Sequence, residues 1–164
     1  MVGPGQMLIE AAFASITFVD TQLRANGAGP YPARLLIIMD NGVGGVVTAV
    51  GADVDKGLVA KRVISSTSGS DGYAERAVGD AGGLVEVPEA LDLDCAVALL
   101  ADGRTAMMLV RATGLRGGER VLVEAAAGRL RPVIGQRFPL ERAADAHAAV
   151  QPRATMGKTL LEVR

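Results

Sequence analysis

At 164 residues, with 49% hydrophobic residues and a mean hydropathy of +0.30, the chain has the length and apolar content of one ordinary domain. Seventeen Lys and Arg against eighteen Asp and Glu leave a net charge of −1 and no basic stripe, which argues against a nucleic-acid partner. One cysteine, Cys95, and one histidine, His147, exclude an internal disulfide and a Cys/His zinc set, so no metal is expected. Apolar stretches too short for a bilayer, and an N-terminus without a basic leader pattern, read as a cytosolic protein off the membrane.

Residues 6–12 (QMLIEAA) alternate as a strand does, and FVDTQLRA after Thr17 places Phe18, Val19 and Leu23 on one helical face. LLIIM (35–39) is a short continuous apolar run, followed by NGVGGVVTAVG, whose β-branched residues read as strand and whose glycines read as a bend or a close backbone approach. RVISS (62–66), GYAERAV (72–78) and LVEVP (84–88) read as further strands, in the rhythm of a small barrel or sandwich. From Asp92 to Arg111 the pattern turns helical, with Leu93, Val97 and Leu100 at i, i+4 and i+7 and a break expected at Asp102-Gly103. RVLVEAAA (120–127) returns to strand, PLERAADAHAAV starts a helix at Pro139, and KTLLEV closes as a strand.

Taken in order, GPGQMLIEAAFASITFVDTQLRANG, NGVGGVVTAVG, GYAERAV, LVEVPEAL, ALLADGRTA and GERVLVEAAAG resemble the zinc-independent quinone oxidoreductase and enoyl reductase branch of the medium-chain dehydrogenase/reductase family. The tail from Gly128 resembles that family's C-terminal return to its catalytic domain. The resemblance implies a mainly β (α+β) fold: a GroES-like, partly open β-barrel with a few short helices, forming one domain over residues 1–164. It also implies that the Rossmann nucleotide-binding domain is missing. In the family, the strand matching Val121–Ala127 opens that domain through a glycine-rich turn, which makes a tight bend, admits the pyrophosphate and points helix N–H groups at it. Here Gly128 is followed by Arg129-Leu130-Arg131-Pro132, so the deletion falls near Gly128 and no nucleotide cofactor is expected. Gly42, Gly44 and Gly45 are the remaining candidates for a phosphate loop, but Val47 stands where the third glycine should fall and VVTAV reads as strand.

Thr17 stands where the family usually has an Asn near nicotinamide and substrate, and Arg104 and Thr105 match positions close to the cofactor and substrate cleft. The resemblance therefore implies ligand contact for all three. Asp20 reads either as a helix-associated carboxylate or as a polar group at the pocket mouth. Asp40, in place of a common Gly, is either a turn residue or a general acid/base beside an apolar wall, and is favoured among the carboxylates. Tyr31, between Pro30 and Pro32, is a loop aromatic or a phenol that donates to a carbonyl. Tyr73 matches a barrel-strand motif and reads as structural, while His147 on its Ala-rich face and Cys95 in an apolar helix read as packed residues.

Three functions follow as expectations. The first is a cofactor-free enzyme that binds an apolar carbonyl-bearing small molecule and carries out an isomerisation, dehydration or cyclisation through Asp40, Tyr31 and Asp20. The second is a binding module, or a shortened domain without activity. The third is a quinone or enone reductase that borrows NADPH from a partner chain. A homodimer is expected as well, because loss of the family's first strand would leave Met7–Ala12 with an unpaired edge.

Overall fold

The computed structural model describes residues 2–27, 36–114 and 133–163. Among these residues, seven strands form one open, mixed sheet accompanied by three α-helices. β1 (Gln6–Ile16) is followed by α1 (Phe18–Asn26), β2 (Gly42–Val50), β3 (Arg62–Ser66), β4 (Arg76–Asp80) and β5 (Val85–Glu86). Then come α2 (Leu93–Thr113), β6 (Ile134–Pro139), α3 (Ala143–Val150) and β7 (Lys158–Glu162). The sheet runs β5-β3-β2-β1-β7-β6, with β4 paired to β1 off this path. All pairs are antiparallel except β6 with β7. The expected mainly β fold with helices is therefore observed, though α2, at 21 residues, is long.

β1 organises the molecule. One edge pairs with β2, while the other is shared between β4, opposite Gln6–Glu10, and β7, opposite Phe13–Ile16. This overturns the expected free edge at Met7–Ala12, and the motive it gave for a dimer: Met7, Ile9 and Ala11 are fully buried. The two faces of the sheet carry separate clusters. Met7, Ile9, Val43, Val47, Val63 and Leu161 meet Ala146 of α3 on one side, while Ile64 and Leu160 meet Ala96, Val97 and Ala98 of α2 on the other. Adjacent Leu160 and Leu161 thus serve opposite faces, as a strand's period of two requires. Burying Val97 alone is worth about 1.5–3 kcal/mol.

Several expectations shift for local reasons. GYAERAV becomes strand only from Arg76, because Gly72 and Tyr73 donate their N–H groups to Met39 O (both 3.1 Å) and pack this loop on Asp40 instead. Within the apolar run LLIIM, Leu36 is fully exposed and Ile38 half exposed. α2 runs unbroken through Asp102-Gly103, since an interior glycine keeps its amide and costs only about 1 kcal/mol within a run of good helix formers. β6 falls in a stretch read only as tail, and the helix after Pro139 opens with a 3-10 turn, Leu140–Arg142, before α3. The expected strand at Val121–Ala127, the proposed junction at Gly128, and Tyr31 lie outside the described residues.

Candidate functional site

Thr17 caps α1. Its side chain accepts from Asp20 N–H (3.4 Å), and Asp20 Oδ2 in turn accepts from Thr17 N–H (2.8 Å) and Thr17 Oγ1 (2.6 Å). This capping box satisfies amides that a helix N-terminus otherwise leaves unpaired. Gly27, at φ 62°, closes the other end, donating to Leu23 O. Thr17, which the resemblance places at a ligand, and Asp20 are thus joined to each other in the first turn of α1.

Asp40 lies beside them, 5% exposed and at φ 73°, a left-handed conformation that Asp tolerates better than most residues. Its Oδ1 accepts from Asn41 N–H (2.7 Å) and Gly42 N–H (3.1 Å), and its Oδ2 accepts from Ser15 N–H (3.2 Å). The carboxylate thereby ties the end of β1 to the start of β2. Burial, and then the Asp20 charge, push its carboxyl well above the usual range, against the pull of the three amides. Asp20 and Asp40, weighed separately in the sequence, therefore lie close enough to act on each other electrostatically. Arg104 and Thr105 are not part of this group. Both are exposed on the distal half of α2, where Thr105 Oγ1 donates to Ala101 O (3.0 Å) within its own helix.

Two residues read as structural from the sequence complete the neighbourhood. The Tyr73 hydroxyl lies 3.0 Å from His147 Nε2, with the rings edge to face at 5.7 Å. Burial, then the Asp20 and Asp40 charges, push the Tyr73 phenol far upward, so it keeps its proton. His147 is 2% exposed; burial, then Arg24, hold its imidazole below the usual range against the pull of Asp20. Its Nδ1 is buried without a partner among the described residues. His147 also lines a half-open cleft of about 390 Å³ between α1 and α3, together with Thr21, Arg24, Ala25, Ala144, Ala148 and Gln151. The sequence signal for this cleft was thin: Arg24 and His147 are 123 residues apart, and the contact of α1 with α3 depends on β7 pairing to β1.

Among the described residues, one group could bring three metal-ligating atoms together: Asp92, Asp94 and Cys95, within 4.8 Å. Asp94 is already engaged by Arg137 in an ion pair and by the Cys95 N–H (2.6 Å). Burial and the neighbouring Asp94 push the Cys95 thiol upward, away from the thiolate that zinc needs. His147, held by Tyr73, belongs to the other side of the molecule's core.

The chain matches the zinc-binding dehydrogenase family over residues 12–161. It is 36% identical over 131 residues to a quinone oxidoreductase of Pseudomonas aeruginosa, covering 77% of this chain and 38% of that protein. It is 32% identical over 132 residues to a 2-haloacrylate reductase of Burkholderia, covering 77% of this chain and 39% of that one. The chain thus spans about two fifths of the length of these curated relatives. The crystal structure of the human synaptic vesicle membrane protein VAT-1 homolog-like protein superposes with a TM-score of 0.84 over 99% of this chain and 90% of that one, at 13% identity, a likeness of fold.

Proposed function

Since the chain belongs to the zinc-binding dehydrogenase family, we propose that it is a quinone-oxidoreductase-like substrate domain that binds an apolar carbonyl-bearing small molecule and moves a proton on it without a nucleotide. The names of its relatives give quinones and a 2-haloacrylate as the substrates of those proteins, and both are conjugated carbonyl compounds. Among the described residues, the one candidate donor group does not suit zinc: Cys95 is held toward the thiol form and Asp94 is already paired with Arg137, beside Asp92.

A nucleotide does not fit the described residues either. Their parallel crossover, β6 to α3 to β7, is the arrangement that carries a phosphate turn elsewhere. Here its strand-to-helix turn reads Phe138-Pro139-Leu140-Glu141. Pro139 supplies no N–H, Glu141 adds a negative charge, and no glycine lets a backbone approach a pyrophosphate.

The observation that supports the proton-transfer reading is the Asp20/Asp40 pair, in which a buried carboxyl, anchored by three backbone amides, is raised above the usual carboxylate range by burial and by a neighbouring like charge. In the proposed step a C–H bond next to the ligand's carbonyl breaks, its electron pair moves into the enolate, and the proton passes to the Asp40 carboxylate. Its return to the same or another carbon completes an exchange or an isomerisation. Incubation with 2-cyclohexenone in D2O without nucleotide, followed by NMR, should show deuterium entering next to the carbonyl faster than in buffer. Exchange at the buffer rate, with reduction appearing only when NADPH is added, would defeat the reading. The second reading, a binding domain without turnover, draws on the three amides that bind Asp40 and make it a strand anchor; ligand binding with no exchange would select it.

A further inference from the structure

His147 is buried where α3 meets the loop before β4, and a hydrogen bond joins the two: its Nε2 lies 3.0 Å from the Tyr73 hydroxyl. That loop in turn covers Asp40. Asp71 N–H donates to Ile38 O (2.8 Å), Gly72 N–H lies 3.1 Å from both Met39 O and Asp40 O, and Tyr73 N–H donates to Met39 O (3.1 Å). Gly72 sits so close that a Cβ on it would lie 2.6 Å from Asp40 Oδ2. Helix α3, Tyr73 and the Asp40 carboxyl are thus linked in series. Asp40 is 5% exposed, so no ligand meets its carboxyl until part of this series moves.

The first bond of the series depends on the charge of the imidazole. Neutral His147 has one N–H and one lone pair, and it shares one hydrogen bond with Tyr73 in either tautomer. Protonated, it has two N–H groups. Nε2–H then donates to the phenol oxygen, but the phenol proton has lost Nε2 as an acceptor, and Nδ1–H is buried with no partner among the described residues. The surroundings do not favour the added charge. From α1, Arg24 repels it and Asp20 attracts it, and burial outweighs that attraction. On α3 and the turn before it, Glu141, Arg142 and Asp145 are exposed, and Arg142 pairs with Asp145. From β6 and β7, Arg137 and Lys158 are engaged by Asp94 and Asp102 of α2, and Glu162 by Arg137. Asp40 acts on the Tyr73 phenol.

We propose that the Tyr73–His147 bond is an acid-sensitive latch: protonation of His147 between about pH 7 and 5 frees α3 from the Tyr73 loop and opens the Asp20/Asp40 pair to solvent and ligand. This rests on reading that pair as the reacting site and adds the condition under which it is reached. The closed form holds the ring neutral, so it is favoured above the ordinary histidine value of about 6.5 and loses ground as the pH falls below it. At pH 5.5 an open ring is about nine-tenths protonated, which shifts the latch about tenfold toward the open form.

The chain has one histidine, so every histidine signal reports this site. In the 15N-histidine spectrum the ring of the folded protein should stay neutral to a lower pH than that of a histidine peptide. Amide hydrogen exchange read by mass spectrometry, corrected for the intrinsic effect of pH, should show peptides over 143–150 and 71–75 losing about tenfold in protection between pH 7.5 and 5.5, while β1 keeps its own. His147→Gln retains an acceptor for Tyr73 without a titrating ring, and its two segments should be equally protected at both pH values. Tyr73→Phe removes the bond and should loosen both segments already at pH 7.5. If His147→Gln does not fold, Tyr73→Phe and the parent spectrum decide. A ring that titrates as in a peptide, protection unchanged by pH, β1 opening in step with α3, a His147→Gln variant as pH-sensitive as the parent, or a Tyr73→Phe variant as well protected as the parent at pH 7.5 would each overturn the latch. Deuteration of 2-cyclohexenone without a response in 143–150 would sink the latch and leave the proposed function standing. A responsive latch with no deuteration at any pH would sink that function and leave the latch.

Discussion

At Asp40 one side chain has two consequences that can be measured separately. The first is geometric: its two oxygens accept three backbone N–H groups, so Asp40→Asn sets an amide NH2 against at least one donor. The expected loss of stability is about 1–3 kcal/mol, read from urea denaturation. The second is electrostatic. A carboxyl pushed up in the folded state keeps its proton to higher pH there than in the unfolded chain. Its contribution to stability is therefore present at low pH and lost as the pH rises from the unfolded value of about 3.9 through the folded one. The Asp20 charge is one cause of that elevation, so Asp20→Asn should flatten this fall in stability on raising the pH, while also weakening the α1 cap. Denaturation series across that range, in the parent and the variant, decide it: parallel curves refute the coupling. That Asp40 matters was legible from its oddness after an apolar run. That it binds Ser15, 25 residues away, was not, because nothing local encodes that contact.

Among the elements, β2 shows how a glycine-rich stretch can serve a strand. Gly42, Gly44 and Gly45 were weighed as a phosphate loop and set aside in favour of strand, and a strand they form, with the register against β1 shifting between Ala11 and Phe13 opposite Gly45 and Gly44. Each glycine makes room for something. A Cβ on Gly42 would lie 2.6 Å from Leu100 Cδ2, the end of a flexible side chain; on Gly44 it would strike Val97 Cγ2; and on Gly45 it would strike the Glu10 carbonyl in the neighbouring backbone. Alanine should therefore cost least at 42, where a leucine rotamer can yield, and most at 45, where only the strand can move, with differences of about 1–3 kcal/mol between the two. Thermal melts of the three variants test the order, and an equal loss at 42 and 45 contradicts it. The close backbone approach was readable from the glycines themselves, whereas which partner approached needed the pairing. β6 escaped for a related reason: its inward alternation of Ile134, Gln136 and Phe138 is interrupted by Gly135 and ended by Pro139. Those are breaker signals, overridden by the parallel pairing to β7.

For the whole molecule the open question is association, and pairing decides where it can occur. A free edge along Met7–Ala12 was expected, but β4 and β7 divide that edge between them, and β7 lies some 150 residues downstream of β1, beyond the reach of any local pattern. Ile9 is fully buried between the two pairings, so Ile9→Lys should unfold the protein and cannot report on a dimer. Leu8, half-buried on the sheet, should accept Lys without any change in molecular mass. Among the described residues, one continuous exposed apolar run lies on the distal half of α2, where Met107, Met108, Leu109 and Val110 are 47–64% exposed. Four in a row surround a helix, so no single side of α2 turns them toward the sheet, and a second copy is the occupant a homodimer would bring, burying the same patch from both protomers. Light scattering over a range of concentrations should then report twice 16.8 kDa. Leu109→Glu should return that mass to one chain, because a carboxylate at a two-fold contact meets its own copy, while Leu8→Lys should leave it doubled. A single-chain mass at every concentration removes the dimer, and a dimer split by Leu8→Lys but not by Leu109→Glu moves it back to the sheet.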